Sequence, residues 1–461
     1  MDLVIRDAVA VTVGGRSRGD VGIEDGRIAQ LGGLMSAPRE LDAGGRILTP
    51  GGVDGHVHLT PARFATAQGP GGWAWSDDFD SGTRAALAGG VTTVGNMSFA
   101  EPGTTIAAGI ELDDSDARQM AVCDYFFHPC LLDPSPENLA AIGPLHAAGH
   151  TSIKFFLSLP AFDKNVNAFV KAMEITRAQG GIALIHCEDA AIIACCCRAL
   201  LEADQVAARY YPDSRPVQAE AVSTHRAVGF SETTGCPAYI VHLSSARALA
   251  ACQEGRSRGV PVYVETRPIY LHLTDEVFNT DDGARFAGAP PLRAQTDVDA
   301  LWAGLRFGDV DTMATDHAPW TLAEKLDASL RADHLRQGVA ELETGMAMLY
   351  SAGVLGGRIS AEQFVAITST NAAKLFGLYP RKGTIALGAD ADLVLWDDHH
   401  TRVIDGSTMY TKADYSPYDG RAVTGWPLWV FSRGELVCNE GKVAAAAGRG
   451  RLLHRGPHRS L

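Results

Sequence analysis

Apolar and polar positions change their rhythm twice along the chain. In the first 50 residues Leu3, Ile5 and Val9 stand among polar neighbours, a spacing close to the two-residue period of a strand. Val21–Gly22–Ile23 runs into Asp25–Gly26 and leaves through Arg27–Ile28–Ala29, which predicts a hairpin with a tight two-residue turn. The same texture returns at the other end, in Asp392–Trp396, in Leu428–Phe431, and in Leu436–Cys438 beyond a turn at Arg433–Gly434. Two β-rich ends around a different middle predict one small β-sandwich domain, assembled from residues 1–52 and 383–461.

Residues 53–382 alternate short apolar runs with helical patterns that end in glycine. One helix opens at Ser76, places Asp77 and Asp78 in its first turn and closes at Gly89–Gly90; acids belong at that end of the helix dipole. Val91–Val94 follows as a buried strand. Further runs stand at Tyr125–Phe127, Ser152–Leu157, Ile182–Ile185, Ala238–Val241, Val260–Val264 and Asp311–Ala314. Helical stretches between them include Ala168–Gln179, Ala246–Glu254 and Val298–Phe307. Repeated β–α units with continuously apolar strands specify a parallel sheet, and about eight of them close an α/β (β/α)8 TIM barrel. An open doubly wound sheet is the alternative. No GxGxxG follows the first strand, so a dinucleotide site has no support.

Length and charge narrow the picture further. The 461 residues allow about three average domains, although an α/β barrel takes about 250 residues as one unit. With 40 Lys+Arg against 54 Asp+Glu the net charge is −14, which leaves no electrostatic footprint for DNA or RNA. Only the stretch Arg449–Arg459 is basic, and it reads as a tail. No run approaches the roughly 20 apolar residues of a membrane span, and Asp2, Arg6 and Asp7 are unlike a signal peptide. The nine cysteines form no CxxC pair, and the adjacent Cys195, Cys196 and Cys197 cannot make a zinc knuckle. Buried thiols in a reducing cytoplasm are the expectation.

Candidate chemistry sits where the apolar runs end. Val53–Asp54–Gly55 leads into His56–Val57–His58, Ser152–Ile153 into Lys154, Ala183–Leu184–Ile185 into His186, Tyr239–Ile240–Val241 into His242, and Met313–Ala314–Thr315 into Asp316. In a barrel those ends line the active-site mouth, so four histidines, a lysine and an aspartate would converge there. Histidines at i and i+2 of a strand share a face and can hold one cation. A buried lysine of lowered pKa can take up carbon dioxide and become a carbamate, which bridges two cations as a carboxylate does. Two divalent metal ions about 3.5–4 Å apart, with a hydroxide between them, are the expected centre.

This set resembles the amidohydrolase superfamily, and within it the dihydropyrimidinases and hydantoinases. Beyond Gly52–His58 and the other strand ends, the likeness rests on Ala289–Pro290–Pro291–Leu292–Arg293, Thr315–Asp316–His317–Ala318–Pro319, Tyr415–Ser416–Pro417–Tyr418–Asp419–Gly420 and the run from Asn371 to Thr384. The resemblance implies zinc at both sites: His56 and His58 on one metal, His186 and His242 on the other, and carboxylated Lys154 between them. It also implies that Asp316 binds the first metal and serves as general base and acid. The reaction implied is hydrolysis of a small-molecule cyclic amide, in a homotetramer or homodimer.

Departures from the family pattern bear on substrate. Leu159 stands where the family has an oxyanion-holding Tyr, a donor whose loss costs about 2.7–4 kcal/mol unless Ser158 or the cations replace it. Ala289 replaces a Ser and Gln337 an Asn, at positions that meet the ring amide largely through the backbone. Thr60 stands where dihydroorotases carry an Arg, which disfavours that activity. The mouth loops hold Phe64, Trp73 and Trp75, then Met97 and Phe99, then Leu157, Leu159 and Phe162. That apolar rim suits a hydantoin, dihydropyrimidine or cyclic imide with an apolar or aryl substituent. Allantoinase-type ring hydrolysis and a non-catalytic dihydropyrimidinase-like scaffold are the alternatives.

Overall fold

The computed structural model describes residues 1–61 and 74–461. The N-terminal stretch forms β1 (Leu3–Thr12), β2 (Gly15–Glu24), β3 (Arg27–Leu31), β4 (Arg39–Asp42) and β5 (Ile47–Pro50). Asp25 and Gly26, between β2 and β3, both have positive φ (50° and 73°), the conformation a two-residue hairpin turn of matching twist demands.

The middle supplies β6 (Gly52–Val57), β7 (Val91–Ser98), β8 (Asp124–Pro129) and β9 (Ser152–Phe156). It continues with β10 (Ile182–His186), β11 (Ala238–Ile240), β12 (Val262–Thr266) and the two-residue β13 (Thr312–Met313). Strands β6 to β8 pair in parallel as one set, and β9 to β13 as another. Parallel bridges at Cys130–Lys154 and Val57–His317 join the two sets into a closed ring. The open sheet is thereby replaced by an eight-stranded barrel, and both closing bridges include or adjoin candidate chemical residues.

Strands β14 (Leu393–Val403), β15 (Ala422–Ser432), β16 (Glu435–Asn439) and β17 (Lys442–Val443) complete the terminal domain. Its nine strands run in the order β17-β16-β15-β14-β5-β1-β2-β3, with β4 beside β1, so β5 and β14 join the two ends of the chain. Strand β14 shows how the domain meets the barrel. Leu393 and Leu395 enter the core shared with Ile5, Leu48 and Phe431, whereas Val394 and Trp396 enter the core of the barrel's helical layer. Trp396 stacks on Tyr350 with ring centroids 4.3 Å apart. Alternate side chains of a strand point to opposite faces, and here both faces are buried.

The barrel interior is packed from below. Phe376, within the run from Asn371 to Thr384, inserts between Phe126 (centroids 5.6 Å apart) and Tyr239 (5.3 Å). A methyl group on Gly55 would lie 2.3 Å from the Phe376 ring, so glycine at 55 is a packing requirement between Asp54 and His56. Residues 449–459 are not a free tail. Amides of Leu453, Arg455, Gly456 and His458 donate to the carbonyls of Tyr125, Gly149, Gly377 and Gly180, carrying the chain across the barrel's N-terminal face. Two of their arginines serve as side-chain donors to main-chain carbonyls: Arg449 reaches Val122 and Ser432, and buried Arg455 reaches Phe127. The main chain of this basic run is therefore part of the fold, while the side chains of Arg451 and Arg459 stay exposed.

Two other expectations shift. The helix expected from Ser76 begins at Phe79, because Asp78 caps it while Asp77 turns away to bind His317 and Thr411. Cys195 is exposed and Cys196 and Cys197 are half-buried on the helix Ala190–Glu202, since consecutive helical residues fan around the axis; the other six thiols are buried. Among the described residues no helix is long and apolar enough to cross a membrane.

Buried titratable groups also set a pH response. His272 packs edge-on against Trp302 and Tyr418, and burial pulls its pKa down to about 3. The unfolded chain then takes up a proton below its ordinary pKa that the folded chain refuses until far lower pH, so stability is lost as pH falls from 6.5 toward 3. His272→Gln removes that titration. Between pH 7.5 and 5 the wild type should lose about 2 kcal/mol more unfolding free energy in urea than the variant. Parallel losses in the two proteins would show that His272 does not titrate differently on unfolding.

Candidate metal centre

The six candidate residues lie at one rim of the barrel. His56 is in β6 with His58 just beyond it, Lys154 is in β9, and His186 ends β10. His242 and Asp316 follow β11 and β13 within a few residues. His242 and Asp316 have φ of 39° and 47°, a region that costs a side-chain-bearing residue about 1–3 kcal/mol. Such strain persists only where surrounding contacts over-determine it. Buried Asp54 supplies some of them, accepting from the His56 amide at 3.0 Å and the Thr315 hydroxyl at 2.8 Å.

The structure brings all six together. Donor atoms of His56, His58 and Asp316 lie within 4.8 Å of one another. Asp316 Oδ1 is 3.2 Å from His56 Nε2 and 3.0 Å from His58 Nε2. Lys154 Nζ lies 3.4 Å from His56 Nε2. His186 Nδ1 and His242 Nε2 face each other at 3.0 Å, and the His56 and His242 rings are 5.4 Å apart.

Burial holds all four imidazoles below their ordinary pKa, so their nitrogens carry lone pairs at neutral pH. Two carboxylates orient the rings of His56 and His186. Glu265 in β12 accepts from His56 Nδ1 at 2.8 Å and from the His242 amide at 2.8 Å. Glu188 accepts from His186 Nε2 at 2.8 Å and is itself held by Arg215. The remaining ring nitrogens of His56 and His186 are thus turned toward the common space, the arrangement that metal-ligating histidines need.

Lys154 is fully buried and burial lowers its pKa; among the described residues it makes no ion pair with a carboxylate. An amine so placed is neutralised more readily than one in water, which favours its reaction as a nucleophile. The donor set fits divalent cations. Two nitrogens about 2.0–2.1 Å from one tetrahedral ion stand about 3.3 Å apart, close to the His186–His242 spacing of 3.0 Å. Among the described residues, buried His58 Nδ1 and His242 Nδ1 have no hydrogen-bond partner.

Above the centre stands an aromatic wall. The Trp75 ring is 4.5 Å and the Phe99 ring 5.9 Å from His58, and Phe156 is 6.0 Å from Phe99 and 5.7 Å from His186. Leu157 and Phe162, expected at the rim, instead pack with Phe155, Phe169 and Phe230 beneath the outer helices. The reason is strand alternation: Lys154 and Phe156 share the inner face, which sends Phe155 and Leu157 outward. Met97 belongs to the barrel interior. Phe64 and Trp73 lie outside the described residues.

Leu159 is half-buried where the short helix Pro160–Lys164 begins. Ala289 and Gln337 are half-buried on neighbouring segments that a buried lysine ties together. Lys325 Nζ donates to the carbonyls of Ala287 (2.7 Å), Arg336 (2.6 Å) and Gly338 (3.0 Å). Thr60 is buried between Asn96 and Asp113. Sequence reading missed Glu265, Glu188, Phe156 and Lys325. Two of them carried a signal: Glu265 directly follows the run Val260–Val264, and Phe156 lies two residues past Lys154 on the same strand.

Comparison with known proteins agrees with this geometry. The Amidohydrolase family profile matches residues 221–437. A D-hydantoinase of Ralstonia pickettii is 35% identical over 461 residues, covering 99% of each chain. A D-phenylhydantoinase of Escherichia coli is 36% identical, again with 99% of each chain covered. The solved D-hydantoinase (dihydropyrimidinase) from Thermus sp. superimposes with a TM-score of 0.93 at 32% identity, covering 99% of both chains. The closed barrel and the domain built from both termini thus have full-length counterparts, and the chain belongs to the amidohydrolase family, among its hydantoinases and dihydropyrimidinases.

Proposed function

We propose that the protein hydrolyses a ring amide of a hydantoin-like substrate bearing an apolar or aryl substituent. The single observation that carries this reading is the convergence of four imidazoles, a buried lysine and an aspartate within a few ångströms at the barrel mouth. His56, His58 and Asp316 would hold one divalent cation, with His186 and His242 on a second, zinc being the natural choice for imidazole and carboxylate donors. Addition of carbon dioxide to the Lys154 amine, with an N–C bond formed and a proton released, would supply a carbamate able to help hold both cations. When bound, the cations polarise the scissile carbonyl and acidify a shared water.

The chain's own groups do the rest. Asp316 Oδ1 takes the proton from the attacking water and returns it to the departing ring nitrogen, so one C–N bond is exchanged for a carboxylate and a free amide or ureido group. The backbones at Ala289 and Gln337, on segments braced by Lys325, would pair with the ring. Leu159 provides no hydroxyl, so the oxyanion is left to the cations and Ser158. Trp75, Phe99 and Phe156 form the apolar side of the mouth, which supports the substituent preference; the name of the Escherichia coli relative points the same way.

A panel of metal-loaded assays tests this. Both enantiomers of 5-phenylhydantoin, unsubstituted hydantoin, dihydrouracil, allantoin and dihydroorotate would be compared by kcat/KM. Phenylhydantoin should lead, and dihydroorotate should be inert. Equal turnover of dihydrouracil would remove the substituent preference, leading turnover of allantoin would reassign the ring, and silence across the panel would end the catalytic reading.

A further inference from the structure

Arg267 directly follows β12, and its side chain is completely buried. Its guanidinium divides its hydrogen bonds between two buried carboxylates. Nη1 donates to Asp316 Oδ2 at 2.9 Å, while Nη2 and Nε donate to Glu341 Oε2 at 2.9 and 3.2 Å. The other Glu341 oxygen accepts a short hydrogen bond from the Tyr418 hydroxyl. Tyr418 belongs to the segment Tyr415–Gly420, so a loop distant in sequence ends on the catalytic rim.

This chain of contacts separates the two oxygens of Asp316. Oδ2 is occupied by the guanidinium, and Oδ1 alone faces His56 and His58. A carboxylate turns easily about its terminal torsion, whose preferences are broad, so its aim depends on what grips it. A planar guanidinium with a fixed fork of donors grips better than a flexible ammonium and stays charged at any working pH. Glycine at 288 leaves room for it: a methyl there would lie 3.2 Å from Arg267 Nη1. The guanidinium therefore stands between Asp316 and the backbone next to Ala289.

We propose that Arg267 is a positioning residue for proton transfer, holding Asp316 Oδ2 so that Oδ1 faces the histidine pair and the substrate, with Glu341 and Tyr418 holding Arg267 in turn. The inference rests on Asp316 acting as the base in the proposed hydrolysis. It gives Tyr418 and the loop that carries it a part in catalysis without contact with the substrate.

The test uses full-length Arg267→Met, Arg267→Lys and Tyr418→Phe proteins. At saturating zinc, with 5-phenylhydantoin, Arg267→Met should lower kcat about 10–100-fold with KM within threefold, and Arg267→Lys should recover much of the loss. Independently of turnover, titration of the chelator-stripped chain with zinc should show affinity weakened about 10–100-fold in Arg267→Met. Tyr418→Phe removes one hydroxyl two links away and should lower kcat roughly threefold to tenfold, which keeps the claim testable should Arg267→Met fail to fold. Wild-type kcat and zinc affinity in the variants would overturn the proposal, as would a rise in KM alone, or a folded Arg267→Lys no better than Arg267→Met. Should the wild type open no cyclic amide, the functional reading fails, while the zinc titration still decides the role of Arg267.

Discussion

Replacing Lys154 by alanine should lower the number of cations bound per chain and cut turnover by at least about 10³-fold, because both acid–base and electrostatic assistance depend on a centre assembled around it. The chain itself should remain folded. Among the described residues buried Lys154 has no carboxylate in an ion pair, so its removal also removes an amine whose charged form burial penalises. Metal analysis by mass spectrometry, circular dichroism and kcat would be measured on the same preparation. Short carboxylic acids such as formate, acetate and propionate should partly restore both metal content and activity by filling the bridging position. Wild-type metal content and turnover in Lys154→Ala would dismiss a bridging role; lost metal without any chemical rescue would leave the lysine necessary but not as a carbamate.

Asp316→Asn is the second large effect. Asparagine keeps the shape and can still accept a hydrogen bond from Arg267, but it cannot take up a proton at the working pH. At saturating metal, kcat should fall about 10²–10⁴-fold with KM changed only a few-fold, the pattern of a group whose contribution is made in the transition state. The amide's NH2 also replaces a carboxylate oxygen beside His56 and His58, so zinc affinity should weaken as well. A kcat within tenfold of wild type would assign the proton transfer to another group.

The two experiments probe different parts of one centre, and their couplings differ. Lys154 touches His56 of the first site, and its charge is felt at His186 and His242 of the second, whereas Asp316 touches His56 and His58. Loss of Lys154 should therefore reduce occupancy at both sites, and loss of Asp316 mainly at one.

Much of this was legible along the chain. Two-residue alternation and paired turn residues marked the terminal strands, and Asp25–Gly26 adopts the positive φ angles that its hairpin requires. Continuous apolar runs marked the buried barrel strands, because a strand covered on both faces has no polar side to display. The histidines, Lys154 and Asp316 were visible as polar residues ending those runs. Other features were not legible. A charged run such as residues 449–459 looks solvated until the carbonyls it satisfies are known. Leu157 and Phe162 could be assigned to the rim only while the facing of β9 was unknown. Glu265, Glu188 and Arg267 are ordinary charged residues in sequence; their meaning comes from partners up to about 200 positions away.

Sequence alone determined the element types, the two-domain division by texture and the kinds of donor atom at the strand ends, since period, propensity and ligand chemistry are local properties. Tertiary structure decided that the sheet closes, that its ends bring the donors within a few ångströms, and which carboxylate or guanidinium aims each of them. Closure and aim depend on pairings between distant segments, such as Cys130 with Lys154, Val57 with His317 and Asp316 with Arg267, and no local period encodes these.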